Sequence, residues 1–335
     1  MILVTGGTGL VGSHLLYTLL QQHEKVRAVH RASSDTGAIR AIFRCYTDDP
    51  DSVYDRIEWM EANLNDLPAL SKAFEGITNV YHSAAYISFD PKNYRKLKKS
   101  NVEGTANVVN LCLKNGVEKL CYVSSVATLG SSVNGSFIDE ETHWNAEENN
   151  SVYAISKYGA EMEVWRGTQE GLPAVIVNPG VILGEGYRNS GSGGIPKAVA
   201  KGVPFYTSGS VGMVDVADVV HVMVRLMESD ISGERFVLVS ENISYKDLFT
   251  QLSEFMGKKP PKKELAKWKL VFLSKLEGIA SRLFGMKRNL PRSTVNSLYT
   301  ASNYNASKVK EFIEFNFTPV EKTLRRVAKH YSMES

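Results

Sequence analysis

The feature that most constrains this chain is Thr5-Gly6-Gly7-Thr8-Gly9-Leu10-Val11-Gly12, set between a short apolar run, Ile2–Val4, and a stretch of helical spacing, Leu10–Gln22. Gly7-x-Gly9-x-x-Gly12 and the overlapping Gly6-x-x-Gly9-x-x-Gly12 both satisfy glycine fingerprints for binding a dinucleotide. A side chain at these positions would hold the backbone off a pyrophosphate, and the helix start supplies N–H donors and a partial positive charge. A tight turn needs fewer glycines than this. The junction therefore predicts a βαβ unit whose Gly6, Thr8, Gly9, Leu10, Val11 and Gly12 face a bound dinucleotide.

The rest of the first half follows the same alternation. Lys25–Val29, Ile57–Ala62, Asn79–His82, Lys119–Ser124 and Ala174–Asn178 read as further strands, and Leu67–Phe74, Tyr94–Leu113 and Val152–Gln169 as helices between them. Strands alternating with helices predict an α/β fold, a doubly wound parallel sheet of the Rossmann type covered on both faces. After Pro179 the texture changes. Gly184–Gly212 is rich in Gly and Ser and reads as loops plus a short helix, Ile195–Lys201. Met213–Met227 resumes a helical pattern, and Arg235–Val239 reads as one more strand returning to the sheet. The expected division is a cofactor-binding domain over 1–180 and 213–240. A smaller, discontinuous, mostly helical substrate lobe takes 181–212 and 241–335.

Two local patterns bear on chemistry. The second strand runs into Arg31, about 20 residues past the glycines, where an NAD-preferring site places a carboxylate on the ribose hydroxyls. An arginine cannot accept those bonds and attracts a 2′-phosphate instead, so NADP is favoured, with NAD the alternative; a solvated Arg at a strand end is the plain alternative. Tyr153-x-x-x-Lys157 opens a helix, which sets the two side chains on one face. A lysine ammonium favours the phenolate and lowers the tyrosine pKa toward a range useful for proton exchange in carbinol–carbonyl interconversion. Tyr153 comes 28 residues after Ser124-Ser125, itself at a strand end.

Together the glycine loop, His82-Ser83-Ala84-Ala85, Asn101-Val102-Glu103-Gly104-Thr105, Ser124-Ser125, Tyr153-x-x-x-Lys157 and Asn178-Pro179-Gly180 stand in the order found in extended short-chain dehydrogenases. The chain resembles that superfamily, which includes the NAD-dependent epimerase/dehydratase family. It is most similar to the branch of dihydroflavonol reductases and 3β-hydroxysteroid dehydrogenases. The resemblance implies that Ser125 polarises the substrate oxygen, that Tyr153 exchanges the proton, and that Lys157 holds the nicotinamide ribose and tunes Tyr153. It further implies that Ser83, Ala84 and Ala85 lie under the cofactor, that Asn101 supports the ribose side, and that Pro179 sits near the nicotinamide. Where relatives carry Gly-Asp-Leu, with the Asp on adenine, this chain has Ala62-Asn63-Leu64; Asn63 can still pair with an adenine edge, with Leu64 beside it. Ser210–Asp215 lacks the basic residue that sugar-nucleotide members use for the diphosphate.

The activity implied is NAD(P)H-dependent reduction of a ketone or aldehyde, or the reverse. An epimerase or dehydratase that retains its NAD is the alternative, and a non-catalytic NAD(P) sensor a further one. No Cys/His/carboxylate cluster has metal-ligand spacing, so no metal is expected. The 39 Lys+Arg against 36 Asp+Glu give no basic face for nucleic acid. The partner expected is a small carbonyl or alcohol substrate, with a homodimer as an option. Cys45, Cys112 and Cys121 form no framework and read as reduced thiols. With no signal peptide and no apolar run long enough to span a bilayer, the expectation is a soluble, cytoplasmic protein. His82, Asp215 and Asp218 read as structural. Leu265, Trp268, Phe272, Leu276, Ile279 and Leu283 recur at helical spacing among lysines. Over 262–288 this fits a membrane-surface helix or a dimerising one, but a lid over the substrate pocket is the expectation.

Overall fold

The computed structural model describes residues 1–132, 135–186, 191–284, 288 and 290–333. The main sheet is laid down by β1 (Ile2–Thr5), β2 (Val26–His30), β3 (Ile57–Glu61), β4 (Asn79–His82), β5 (Lys119–Val123) and β6 (Ala174–Pro179). The chain then forms β7 (Val181–Leu183), β8 (Phe205–Tyr206), β9 (Ser210–Asp215), β10 (Glu234–Leu238), β11 (Glu241–Ser244) and β12 (Lys263–Glu264). Seven strands pair in the order β10-β6-β5-β4-β1-β2-β3, every neighbour parallel. The order reverses between β1 and β4, and a parallel sheet of this kind takes its ligand at that switch point.

Strand periodicity divides the core. Ile2 and Val4, Tyr81, Cys121 and Val123, Val175 and Val177 face one layer, built on the helices Leu10–Gln22 and Val216–Glu228. Leu3, Val80, Leu120 and Tyr122, Ala174 and Ile176 face the other, built on Leu67–Ala73, Gly104–Asn115 and Val152–Gln169. Successive side chains point to opposite faces and both faces are covered, which is why these strands read as continuous apolar runs.

The structure corrects several boundaries. Tyr94–Leu113 is not one α-helix: a turn Tyr94–Leu97 runs through a π-helical stretch, Lys98–Glu103, into Gly104–Asn115. Met213–Met227 is not helical throughout, because Ser210–Asp215 is a strand and the helix begins at Val216, capped by Asp215 through the Ala217 N–H at 2.8 Å. That strand, β9, is the centre of a second sheet, β11-β9-β7, with β11 antiparallel and β7 parallel to it. It crosses the expected boundary at 212/213. A third core cluster, with Leu183, Met213, Leu248, Leu252 and Leu324, lies around this sheet. Part of the Gly184–Gly212 reading, residues 187–190, and part of the 262–288 reading, residues 285–287, lie outside the described residues.

Cys112 and Cys121 are buried free thiols and Cys45 is an exposed one; burial pushes the Cys121 thiol up to about 12. Among the described residues no helix is long and apolar enough to cross a membrane, and no group of His, Cys, Asp and Glu could hold a metal ion.

Candidate active site

The glycine loop closes the crevice from one side. Gly6 has φ +75°, and a Cβ there would come within 2.7 Å of the Ala84 nitrogen. A Cβ on Gly12 would collide with the Gly6 carbonyl. The loop is held from within by Gly9 N–H to the Gly6 carbonyl at 2.9 Å. Gly9 caps the helix Leu10–Gln22 without a side-chain hydrogen bond. Its first N–H groups are therefore presented in the way an anion needs, and with the side-chain-free approach at Gly6 they fit a dinucleotide pyrophosphate. Ser83 donates from both N and Oγ to the Thr5 carbonyl, at 3.2 and 2.8 Å, and so sets Ser83–Ala85 against the loop.

The residues assigned to the adenosine end lie at the ends of β2 and β3. Arg31 follows β2 with an exposed side chain, its own N–H donating to Ser34 Oγ at 3.3 Å. Asn63 is also exposed; its Oδ1 accepts from the Asn65 N–H at 3.1 Å, which leaves the Nδ2 donors for a ligand. Leu64 packs under Gly104, where an added Cβ would meet it at 3.0 Å.

On the reacting side, Ser151 caps the helix Val152–Gln169 through the Ala154 N–H at 3.0 Å. This start places Tyr153 in the first turn and Lys157 one turn deeper. Ser125 is partly exposed at the end of β5, where its Oγ accepts from the Ala127 N–H at 3.1 Å. Its side chain lies within reach of the Tyr153 hydroxyl and favours the phenolate. An edge of the Tyr153 ring reaches solvent, yet burial of the hydroxyl pushes the phenol up to about 12, with the Ser125 hydrogen bond pulling it back. Phe89 packs on the tyrosine, ring centroids 5.5 Å apart.

Lys157 is held by acceptors of the neighbouring strand. Its Nζ donates to Tyr122 Oη at 2.6 Å and to the Val123 carbonyl at 2.8 Å. Lys157 is 1% exposed, and a buried ammonium must find acceptors; the nearest strand supplies them. Burial lowers the lysine to about 7, with Glu161 raising it, and Lys157 does not depress Tyr153 in this state.

Asn101 too is occupied by protein. Its Oδ1 accepts from the Tyr86 N–H at 2.7 Å, and its Nδ2 donates to the Tyr86 carbonyl and to Ser156 Oγ, both at 3.0 Å. It thus joins the segment after β4 to the helix bearing Tyr153 and Lys157. Pro179 ends β6, buried opposite Leu238. His82 bridges Thr5 Oγ1 at 2.6 Å and Thr105 Oγ1 at 2.9 Å, and burial takes it down to about 3, which suits a structural neutral imidazole.

One residue had no signal in the sequence. Glu161, fully buried, accepts at Oε2 from Ser124 Oγ (2.5 Å), Thr128 Oγ1 (2.7 Å) and Asn178 Nδ2 (2.9 Å), and at Oε1 from Arg235 Nη1 (3.0 Å). Thr128 Oγ1 and Asn178 Nδ2 also reach the Ser125 carbonyl, at 2.8 and 3.2 Å. Ser124 is therefore committed to this carboxylate and Ser125 is the serine that faces Tyr153. The partners of Glu161 are far apart in the chain, so no local pattern marks it.

A parallel sheet with this switch-point crevice, a side-chain-free loop at a helix start, and a Ser–Tyr–Lys set at the strand ends defines a nicotinamide-dependent oxidoreductase. The sequence profile of the NAD dependent epimerase/dehydratase family matches residues 2–238, and the chain belongs to that family within the extended short-chain dehydrogenases. It is 32% identical over 312 residues to a putative dihydroflavonol 4-reductase of Synechocystis, covering 91% of this chain and 87% of that one. It is 29% identical over 302 residues to sterol demethylase protein B of Methylococcus capsulatus, covering 88% and 86%. The crystal structure of gox2253 superposes with a TM-score of 0.82 at 28% identity, covering 100% and 98%.

Proposed function

We propose that this enzyme is an NADPH-dependent reductase of a ketone or aldehyde, reversible as a dehydrogenase, with Tyr153 as proton donor, Ser125 on the substrate oxygen and Lys157 beside the nicotinamide ribose. The observation that carries the reading is the placement of Tyr153 in the first turn of the helix Val152–Gln169, with Lys157 one turn deeper and Ser125 at the strand end beside the tyrosine hydroxyl. At neutral pH a tyrosine hydroxyl holds its proton, and placed at the substrate oxygen it can supply that proton as the oxygen gains charge in reduction. The cofactor, when bound, supplies the hydride to the carbonyl carbon. Tyr153 delivers its proton to the oxygen, which leaves as the alcohol, and the phenol regains a proton from solvent. Ser125, with a hydroxyl fixed by the Ala127 N–H, donates to the same oxygen as its charge grows. The residues proposed to hold the cofactor are Gly6, Thr8–Gly12, Arg31, Asn63, Leu64, Ser83–Ala85, Tyr153, Lys157 and Pro179, with Asn101 acting through Tyr86 and Ser156. The lobe formed by 181–212 and 241–335, together with Tyr86–Phe89, is proposed to shape the substrate side.

Reductase is favoured over epimerase because Ser210–Asp215 offers no Lys or Arg to a sugar diphosphate. A panel of carbonyl compounds with NADPH and NADH, followed at the nicotinamide absorbance, tests this: stoichiometric oxidation of cofactor is expected. Interconversion of a sugar nucleotide with no net oxidation overturns it in favour of the epimerase.

Preference for NADP rests on Arg31. A charge-assisted bond from it to the 2′-phosphate contributes ~1.5–3 kcal/mol, on the order of 10- to 100-fold. Arg31→Ala should weaken NADPH by about that factor and leave NADH nearly unchanged in side-by-side titrations. Equal losses for both cofactors would mean that the guanidinium stacks on adenine instead.

A further inference from the structure

The helix Lys267–Phe284 is built inside out. At about 100° per residue, Trp268, Phe272, Leu276, Ile279 and Leu283 fall within a stripe about 80° wide. All five point to solvent, with exposures of 67, 59, 47, 56 and 71%. The opposite face, turned to the protein, carries Ser274 and Ser281, 4% and 3% exposed. That polar face is fastened. Lys92 Nζ donates to the Ser281 carbonyl at 2.6 Å, the Leu290 N–H to Glu277 Oε2 at 2.7 Å, and Arg288 Nη2 to Ser274 Oγ at 3.3 Å. The helix cannot roll to bury its stripe without breaking these bonds. The apolar side therefore faces away from the protein and the polar side toward it.

Charge says what the stripe meets. Residues 258–288 hold ten Lys/Arg against two Asp/Glu, leaving 29 against 34 in the rest of the chain. The molecule's excess positive charge therefore sits in this one segment. Its seven lysines between 258 and 275 are all exposed. Lys275 and Lys269 fall at the two margins of the stripe, one on each side, where long stems can lie along an apolar surface while the ammonium groups rise to its edge. Two copies of this chain meeting stripe to stripe would set these lysines against each other. A surface of acyl chains edged by phosphates matches both the stripe and its margins.

We propose that the helix Lys267–Phe284 docks on an anionic lipid surface, with Trp268, Phe272, Leu276, Ile279 and Leu283 among the acyl chains and the flanking lysines at the headgroups. The docking brings the enzyme's mouth toward the lipid, because Lys92 and Asp90, which hold the C-terminal part of this segment, adjoin the Phe89 that packs on Tyr153.

The test is sedimentation of the full chain with vesicles of phosphatidylcholine, with and without phosphatidylglycerol, at low and high salt. Binding to the anionic vesicles, released by salt, is expected. So is a blue shift of tryptophan emission that Trp268→Phe removes. The pair Trp268→Glu and Phe272→Glu should weaken partitioning by at least about tenfold. Lys269→Gln and Lys275→Gln, which leave the apolar stripe intact, should each weaken it about fivefold. Circular dichroism and NADPH binding should be unchanged in all of these. Failure of the wild type to sediment with anionic vesicles overturns the proposal, as does equal binding by the charged variants. A dimer in solution that Phe272→Glu dissociates would assign the stripe to a second copy and overturn it too.

Discussion

Two helices of this enzyme, Val152–Gln169 and Lys267–Phe284, are each 18 residues long, and each breaks the usual rule of apolar inside and charged outside. The first buries Lys157 at 1% and Glu161 at 0% exposure; the second turns six large apolar side chains to solvent, five of them in one stripe. Burying a charge is costly unless it is paired: Glu161 is met by Arg235 and four neutral donors, and Lys157 by Tyr122 and the Val123 carbonyl. Among the described residues the exposed stripe has no comparable partners. The first helix spends its irregularity on chemistry inside the fold, and the second keeps its own for something outside it.

The sharpest test of the first helix is Tyr153→Phe. The ring can still pack on Phe89, so cofactor affinity should hold while kcat falls by about 10²- to 10⁴-fold, the usual worth of a positioned acid–base group. A variant that retains most of its kcat, measured beside an NADPH titration, removes Tyr153 from the proton path.

Glu161 comes next in size. Glu161→Ala leaves Arg235 unpaired and Ser124, Thr128 and Asn178 without their shared acceptor, a loss of about 3 kcal/mol or more. Urea unfolding against Glu163→Ala is the comparison. Glu163 sits two positions on, in a half-exposed pair with Arg166, and its loss should cost below about 1 kcal/mol. The milder Glu161→Gln tests positioning: by loosening the Ser125 turn it should lower kcat about tenfold with little change in cofactor affinity. Unchanged kcat in a stable Glu161→Gln enzyme would make the network purely structural.

How much of this was legible in the sequence depends on how local each signal is. The glycine loop and Tyr153-x-x-x-Lys157 are complete within one turn of chain, and the seven parallel strands were legible from apolar runs closed by Gly, Pro and polar residues. The seventh, β10, begins one residue before the run Arg235–Val239. β9 was not legible because its residues run directly into an apolar helix, and MVDVADVVHVMVRLM satisfies helical spacing from its first residue. The second sheet escaped because its strands are three to six residues long and their partners lie far apart in the chain. Glu161 escaped for the same reason, since the residues it joins come from β5, β6 and β10 or the turns beside them. The protein acceptors of Lys157, Tyr122 and the Val123 carbonyl, were not legible because spacing places a side chain on a face but does not say which acceptor it will find.

The burial of Lys157 has a pH consequence. In the free protein burial holds Lys157 near 7, so above this pH it is largely neutral. An anionic dinucleotide favours the ammonium and raises its pKa on binding. A group whose pKa rises on binding contributes affinity that is fully present below its free value and fades above it. NADPH affinity should therefore be greatest below about pH 7 and weaken by up to about tenfold per pH unit beyond it, with proton uptake visible by calorimetry in buffers of different ionisation enthalpy. Lys157→Met should flatten that slope. A wild-type affinity level from pH 6 to 9 would mean that the lysine keeps its proton in the free protein.

The smallest expected effect separates the two helices most directly. Val164, on the buried side of Val152–Gln169, is 0% exposed within the core layer formed with Val108, Val109 and Cys112. Val164→Ala removes two methyl groups' worth of contact and leaves a cavity, at a cost of about 2 kcal/mol. Phe272 is the larger side chain, and by size alone its loss should cost more. Its ring is 59% exposed, however, so little apolar surface returns to water on truncation, and alanine favours the helix over phenylalanine by a few tenths of a kcal/mol. Phe272→Ala should then leave stability in lipid-free buffer within about 0.5 kcal/mol of wild type, or raise it slightly. Urea midpoints of the two variants, with the slopes confirmed equal, decide the matter. A loss at Phe272 matching that at Val164 would mean that the stripe packs against protein in solution, and the contrast between the helices would be one of sequence only.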